Sequence, residues 1–260
     1  MLNNMKVCLV SSLPPFRSGV SLYTLGLLSG LEKVRPSFRI VVIANKSANK
    51  IEIKNQYLRL KKVWTRGLRY LFQIFYAVIK EKSEVVHIQH EFFFYGGVVS
   101  SAFFPVLLLL LRLKGMKVLV TMHAVVPRKL ANAQFAEAFF VPKSSIAQKF
   151  GLTILTTFIC RIANLIIVHN NFAKDILYKD YKVSLQKIRV VPHGIGISNS
   201  ENLRISPAPD KVVLFFGNIT PSKGIETLIA AFEQIRIPNV KLIIAGGPHP
   251  RGIHYFRQIT

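Results

Sequence analysis

The chain has 260 residues, half of them hydrophobic and 18% charged, a composition that supplies a packed core and excludes general disorder. Its 35 Lys and Arg against 12 Asp and Glu leave a formal charge of +23. That excess favours anionic partners, whether phosphate groups, nucleic acid or an acidic lipid surface.

Strand-like and helix-like segments alternate from the first residues onward. "KVCLV" (Lys6 to Val10) reads as a buried first strand; its apolar stretch is too short for a secretory signal, and Pro14-Pro15 interrupts the chain soon after it. After the loop "PPFRSG" a helix is predicted over "VSLYTLGLLSGLEK" (Val20 to Lys33). Further strands are predicted over Phe38 to Ala44, Glu84 to Gln89, Lys117 to His123, Asn164 to His169 and Lys187 to Gly194. The intervening helices fall near Leu68 to Lys80, Val98 to Leu113, Ser144 to Ala163 and Phe172 to Tyr178. The most apolar run, Ala102 to Leu111, is shorter than the ~20 residues of a bilayer crossing. Cys8 and Cys160 are too few for a disulfide framework and read as buried thiols. Together these features lead to the expectation of a cytoplasmic protein.

Nearly continuous Val/Ile/Leu strands indicate burial on both faces, as in a parallel sheet wrapped by helices. Residues 1–197 are therefore predicted to form an α/β, doubly wound, Rossmann-like domain. The polar stretch "SNSENLRISPAPD", 198–210, reads as a linker. One further β-α-β unit comes next: Val212 to Phe216, Lys223 to Ile235 and Val240 to Ala245. Residues 211–260 thus read as the opening of a second Rossmann-like domain, too small for a stable core unaided.

Ligands of open α/β sheets sit at the carboxyl ends of the strands. In the first such loop, Ser18-Gly19 begins a helix, with Arg17 at hand for an anion. The turn "GNITPSKG" after Phe216 offers Gly217 for close approach and Thr220-Pro221 as an N-cap and first helical residue. Free amides there, with Lys223 beside them, suit a phosphate or diphosphate. It is neither a P-loop nor a dinucleotide-binding Gly-x-Gly-x-x-Gly, and locally each loop reads equally well as a capped structural turn. His90, Glu91 and His123 emerge at strand ends, where a histidine can hydrogen-bond a sugar hydroxyl. A metal on His87, His90 and His123 is not expected, because "HEFFF" lacks a second histidine and no carboxylates cluster nearby. His87 reads as a core residue, and His169 and His193 as structural strand-end residues.

The segments "SSLPPFRSGVSLYT", "VVHIQHEFFFYGG", "VTMHAVVP", "IIVHNNFAKDIL", "IRVVPHGI" and "FFGNITPSKGIETLIAAF…VKLIIAGG" together resemble the family 4 glycosyltransferases, in the family's order and over essentially the whole chain. The resemblance implies a GT-B fold, with the N-terminal domain on the acceptor side and the C-terminal one on the nucleotide-sugar side. It also implies retaining transfer from a nucleotide-diphosphate sugar to a glycan or polyprenyl-linked acceptor, with no cofactor and no catalytic metal. By position, His123 corresponds to the catalytic histidine near the reacting sugar. Gly19, Gly217, Asn218 and Lys223 would bind the donor diphosphate, and Arg17, His90 and Glu91 lie on the acceptor side. Asn218 departs from the arginine of many members, and the family's Glu-x7-Glu motif does not occur before Thr260. A truncated glycosyltransferase, inactive unless another chain supplies the C-terminal half, is therefore expected; a non-catalytic glycosyltransferase-like subunit or a decayed gene fragment is the alternative.

The positive charge concentrates in Lys46 to Lys82, where it mixes with Trp64, Tyr70, Phe72, Phe75 and Tyr76. Basic and aromatic residues on one helix suit an anionic membrane surface, although a core-facing helix with a basic edge has the same pattern. No recognition helix, RNP aromatic pattern or zinc knuckle appears, so nucleic acid is not an expected partner.

Overall fold

The computed structural model describes residues 5–16, 18–35, 37–49, 55–131, 145–194, 211–248 and 252–259, with backbone alone at 145–150. The chain divides into two compact units: Met1–Arg128 with Phe150–Gly196, and Lys129–Lys149 with Ile197–Thr260. The expected linker, 198–210, lies outside the described residues.

In the first unit seven parallel strands run β1 (Lys6–Val10), β2 (Arg39–Asn45), β3 (Leu58–Trp64), β4 (Val85–His90), β5 (Lys117–Met122), β6 (Leu165–Val168) and β7 (Ile188–Val190). Their order across the sheet is β3-β2-β1-β4-β5-β6-β7, so the chain reverses its direction of travel between β1 and β4. The helices are α1 (Gly19–Val34), α2 (Tyr70–Lys80), α3 (Val98–Ala102), α4 (Phe104–Leu113), α5 (Ser145–Ile162), which belongs to this unit from Phe150 onward, and α6 (Asn171–Lys179). Central strands bury both faces: Cys8, Leu9 and Val10 sit beside Ile40 to Ala44 and Val86 and Ile88. Leu71, Ile74 and Val78 of α2 and Phe104, Leu107, Leu108 and Leu111 of α4 seal the sheet. Cys8 and Cys160 are free and buried, as the sequence indicates.

The predicted helix Val98 to Leu113 is two helices. Pro105 has no amide to donate into the preceding turn, and the chain restarts at Phe104 with the proline inside the new first turn. Strand β3 was not expected at all. "LRLKKVW" alternates apolar and basic residues because it forms the sheet edge, where outward-facing side chains meet water. Trp64 and Tyr70, both counted among the basic-aromatic surface, are fully buried instead. Trp64 Nε1–H donates to the Ile43 carbonyl (3.2 Å) and the Tyr70 hydroxyl to that of Ser100 (3.0 Å).

Glu81, just past α2, ties the edge opposite the strands' carboxyl ends. Its carboxylate takes Lys6 Nζ at 2.6 Å, Arg59 Nη2 at 2.9 Å and the Lys61 ammonium.

The second unit pairs β8 (Lys211–Phe216) with β9 (Val240–Ala245) in parallel, with α7 (Ile225–Phe232) between them in sequence and α8 (Ile253–Ile259) after. The helix predicted from Lys223 begins later. Thr220-Pro221 opens a tight 3-10 turn, Pro221–Lys223, and Gly224 then takes a left-handed conformation (φ 63°) before α7 starts. No helix among the described residues is long and apolar enough to cross a membrane.

Candidate functional site

At the carboxyl edge of the first sheet, α1 follows β1 through a loop braced by hydroxyls. Ser11 Oγ lies 2.6 Å from Thr24 Oγ1, and Ser12 Oγ 2.6 Å from Ser21 Oγ; all four residues are buried. The Leu13 amide donates to Asn45 Oδ1 at 2.8 Å. Ser18 caps α1 by accepting from the Ser21 amide. Gly19 opens the helix, and a Cβ there would meet nothing within 4 Å, so the approach to the helix start is unobstructed. Arg17 lies outside the described residues.

His90 ends β4 and Glu91 follows it, at the strand where the sheet order reverses. His90 is 2% exposed, with its ring 4.5 Å from that of Phe104 and 5.8 Å from that of Phe92. Burial pushes its pKa down to about 3, so this imidazole is neutral and enclosed.

His123 follows β5 and is half-buried. Its Nε2–H donates to Gln89 Oε1 at 2.8 Å. The Gln89 amide nitrogen lies 3.3 Å from His87 Nε2, which in turn is 2.7 Å from Thr121 Oγ1. Gln89 and Thr121 are fully buried, so the polar chain sits in a low-dielectric interior where its members orient one another. Burial, then the neighbouring histidines, push His123 down to about 3. With the proton fixed on Nε2, Nδ1 is a lone pair.

Two further histidines join it. His169 follows β6 and His193 lies just past β7; their ring centroids are 3.7 Å apart, and His123 is 4.9 Å from His169. Tyr23 of α1 packs against all three rings at 4.8 to 5.4 Å. Read from sequence, His169 and His193 were isolated strand-end residues; the fold gathers them around His123. Gln89 and Tyr23 were not singled out. A glutamine between two histidines in a strand that also carries Val85, Val86 and Ile88 is the available signal for the first.

In the second unit Gly217 has φ 140°, a conformation that disfavours any side chain. Its neighbour across the sheet, Gly246, is required for a different reason: a Cβ there would lie 1.9 Å from the Gly217 carbonyl oxygen. The two strand ends therefore touch backbone to backbone, and the Ile219 amide donates to the Gly247 carbonyl (3.0 Å). Asn218 and Lys223 are exposed. The Lys223 side chain has no hydrogen-bond or ion-pair partner among the described residues, while its amide donates to Thr220 (3.0 Å). Within that unit Gly217, Asn218 and Lys223 thus occupy one short turn between β8 and α7.

The sequence profile of Glycosyltransferase Family 4 matches residues 17–199, and that of Glycosyl transferases group 1 matches residues 198–257. A lipopolysaccharide 1,2-N-acetylglucosaminetransferase of Salmonella typhimurium is 33% identical over 94 residues, covering 32% of this chain and 24% of that enzyme. A UDP-GlcNAc 2-epimerase from Neisseria meningitidis bound to UDP-GlcNAc is 12% identical with a TM-score of 0.51, over 98% of this chain and 69% of the other. The S. aureus MnaA-UDP structure gives 11% and 0.50, over 98% and 65%. At such identities the structural likeness speaks for the fold alone, the GT-B type.

Proposed function

The chain belongs to Glycosyltransferase Family 4, and from that premise we propose that it serves retaining transfer of a sugar from a nucleotide-diphosphate donor to a glycan or lipid-linked acceptor. The observation that carries the proposal is the turn between β8 and α7, where Lys223, without a side-chain partner among the described residues, lies beside a helix start. A diphosphate gains there from the ammonium charge and from α7's free amides. No metal is needed in this reading, because fixed cationic and amide groups stabilise the leaving diphosphate as its charge grows. His123, neutral and held by Gln89, offers its Nδ1 lone pair to a sugar hydroxyl and brings no positive charge against an electron-poor anomeric carbon. Gly19 keeps the start of α1 open to phosphate oxygens. His90 and Glu91, with Arg17, are assigned to the acceptor side, His90 as a buried wall.

The similar structures hold UDP and UDP-GlcNAc, and the Salmonella enzyme transfers N-acetylglucosamine, so uridine nucleotides are the first ligands to test. Calorimetry of the chain with UDP, UDP-GlcNAc, UMP and uridine is expected to show binding that needs the diphosphate. At 100 times the dissociation constant a ligand should raise stability by ~2.7 kcal/mol. If neither uridine nor guanosine diphosphate sugars bind, or uridine binds as well as UDP, the diphosphate reading fails.

A peripheral position on the cytoplasmic face of an anionic membrane is part of the same proposal. Phe72 and Tyr76, one turn apart on α2, are 59% and 60% exposed, and Val106, Leu109 and Leu113 form an exposed row along α4. The two helices pack together, and Arg69, Lys80 and Lys114 flank them, all exposed. Cosedimentation with phosphatidylglycerol vesicles is expected, weakening as salt rises. Phe72→Ser with Tyr76→Ser should lower partitioning about thirtyfold, since each ring contributes on the order of a kcal/mol when buried. Equal uptake by neutral vesicles at every salt concentration would remove the electrostatic part of this idea.

A further inference from the structure

We propose that His123, His169 and His193 form a site for a divalent transition-metal ion of the zinc class. The proposal goes beyond sugar transfer and does not depend on it. Strands β5, β6 and β7 are consecutive neighbours in the sheet, and each delivers one histidine at its carboxyl end. One ring nitrogen from each lies within 4.8 Å of the other two.

The proton arrangement is that of ligands. His123 donates Nε2–H to the Gln89 carbonyl oxygen (2.8 Å), and His169 donates Nδ1–H to the Val191 carbonyl (2.8 Å). Each is left with one bare nitrogen lone pair, and that of His169, Nε2, is buried with no hydrogen-bond partner. Metal-bound histidines characteristically hold their second nitrogen on a carbonyl or carboxylate in this way, which fixes both tautomer and ring direction. A buried unpaired nitrogen is otherwise an unfavourable feature, and an ion would satisfy it.

Among the described residues the cluster is three imidazoles without thiolate or carboxylate, a set that suits zinc-class ions with a fourth position left for water or another ligand. Tetrahedral coordination at a metal–nitrogen distance of about 2.0–2.1 Å places ligand nitrogens roughly 3.3 Å apart. The rings must therefore draw together. The exposed His193, three residues beyond β7, is the member with room to move, sliding out of its stack on His169. Tyr23 walls the cluster from the α1 side. The ion would occupy His123 Nδ1, so under the proposed function, where that lone pair meets a sugar hydroxyl, ion and sugar would compete.

The test uses the untagged, metal-stripped 260-residue chain titrated with Co²⁺. A single equivalent should produce the intense visible absorption of four-coordinate cobalt, abolished by added Zn²⁺. His193→Ala, at an exposed position that leaves the fold intact, should weaken Co²⁺ at least about tenfold, and His169→Ala likewise, whereas His254→Ala in the second unit should change nothing. Circular dichroism checks the folding of each variant. Weak six-coordinate absorption, no uptake, or uptake unaltered in His193→Ala would overturn the site.

Discussion

Replacing Lys223 with alanine is expected to weaken binding of a nucleoside diphosphate by about 10- to 150-fold, the equivalent of a charge-assisted hydrogen bond worth about 1.5–3 kcal/mol. The side chain sits on a turn whose shape does not depend on it. Thr220 and Ser222 hydroxyls meet at 2.9 Å, Gly224 takes the left-handed position, and Ile225 is buried beneath. The unliganded variant should therefore melt like the parent, which separates a lost binding group from a lost fold. Arginine at 223 should recover part of the affinity, since it keeps the charge while changing the geometry of the donors. Asn218→Arg, restoring a cation common in the family, should tighten the same ligand. The effect of Lys223→Ala should shrink as ionic strength rises. Affinity for UDP that stays within threefold of the parent at low salt would remove Lys223 from the diphosphate and, with it, the observation on which the transfer reading rests.

The parts of this molecule that could be read from sequence are those set by local pattern. Strands β1, β4, β5 and β9 follow from short runs rich in Val, Ile and Leu, and the Ser18 and Asn170 caps lie where short polar residues precede helices. Strand β3 was hidden because an edge strand is only half apolar, and its Arg59 and Lys61 read as surface charge although both reach Glu81. Glu81 itself, between Lys80 and Lys82, has nothing in its neighbourhood to mark it as buried. The start of α7 was misplaced because Thr220-Pro221 begins a 3-10 turn as readily as an α-helix. The site shows the same division. His123 and Lys223 could be named from their strand ends, but the grouping of His123 with His169 and His193 depends on which strands lie side by side. That is a property of sheet order, and no spacing along the chain encodes it.

Exchange of Glu81 for alanine should produce a large loss of stability for a single polar substitution, about 3–5 kcal/mol, the range for removing one partner of a buried ion pair. Its side chain is 4% exposed and engages Lys6, Arg59 and Lys61, whose side chains are 26%, 58% and 43% exposed. Those cations can rehydrate, which places the result toward the lower end. Glu81 also follows directly on α2, where the helix dipole disfavours a carboxylate, so the cations must outweigh both burial and dipole. Burial alone would push the carboxyl up, but the hydrogen bonds and charges of Lys6 and Lys61 bring it down to about 2 from 4.5. Between those values the unfolded chain holds a proton that the folded one does not. The stabilisation is accordingly complete above about pH 4.5 and disappears as pH falls through about 2, with a total of about 3 kcal/mol from the linkage relation. Urea unfolding of the parent and of Glu81→Gln should differ most at pH 7 and converge steadily below pH 4.5. A gap that stays constant from pH 7 to pH 3 would mean that the negative charge of Glu81 is not what joins β1, β3 and the end of α2.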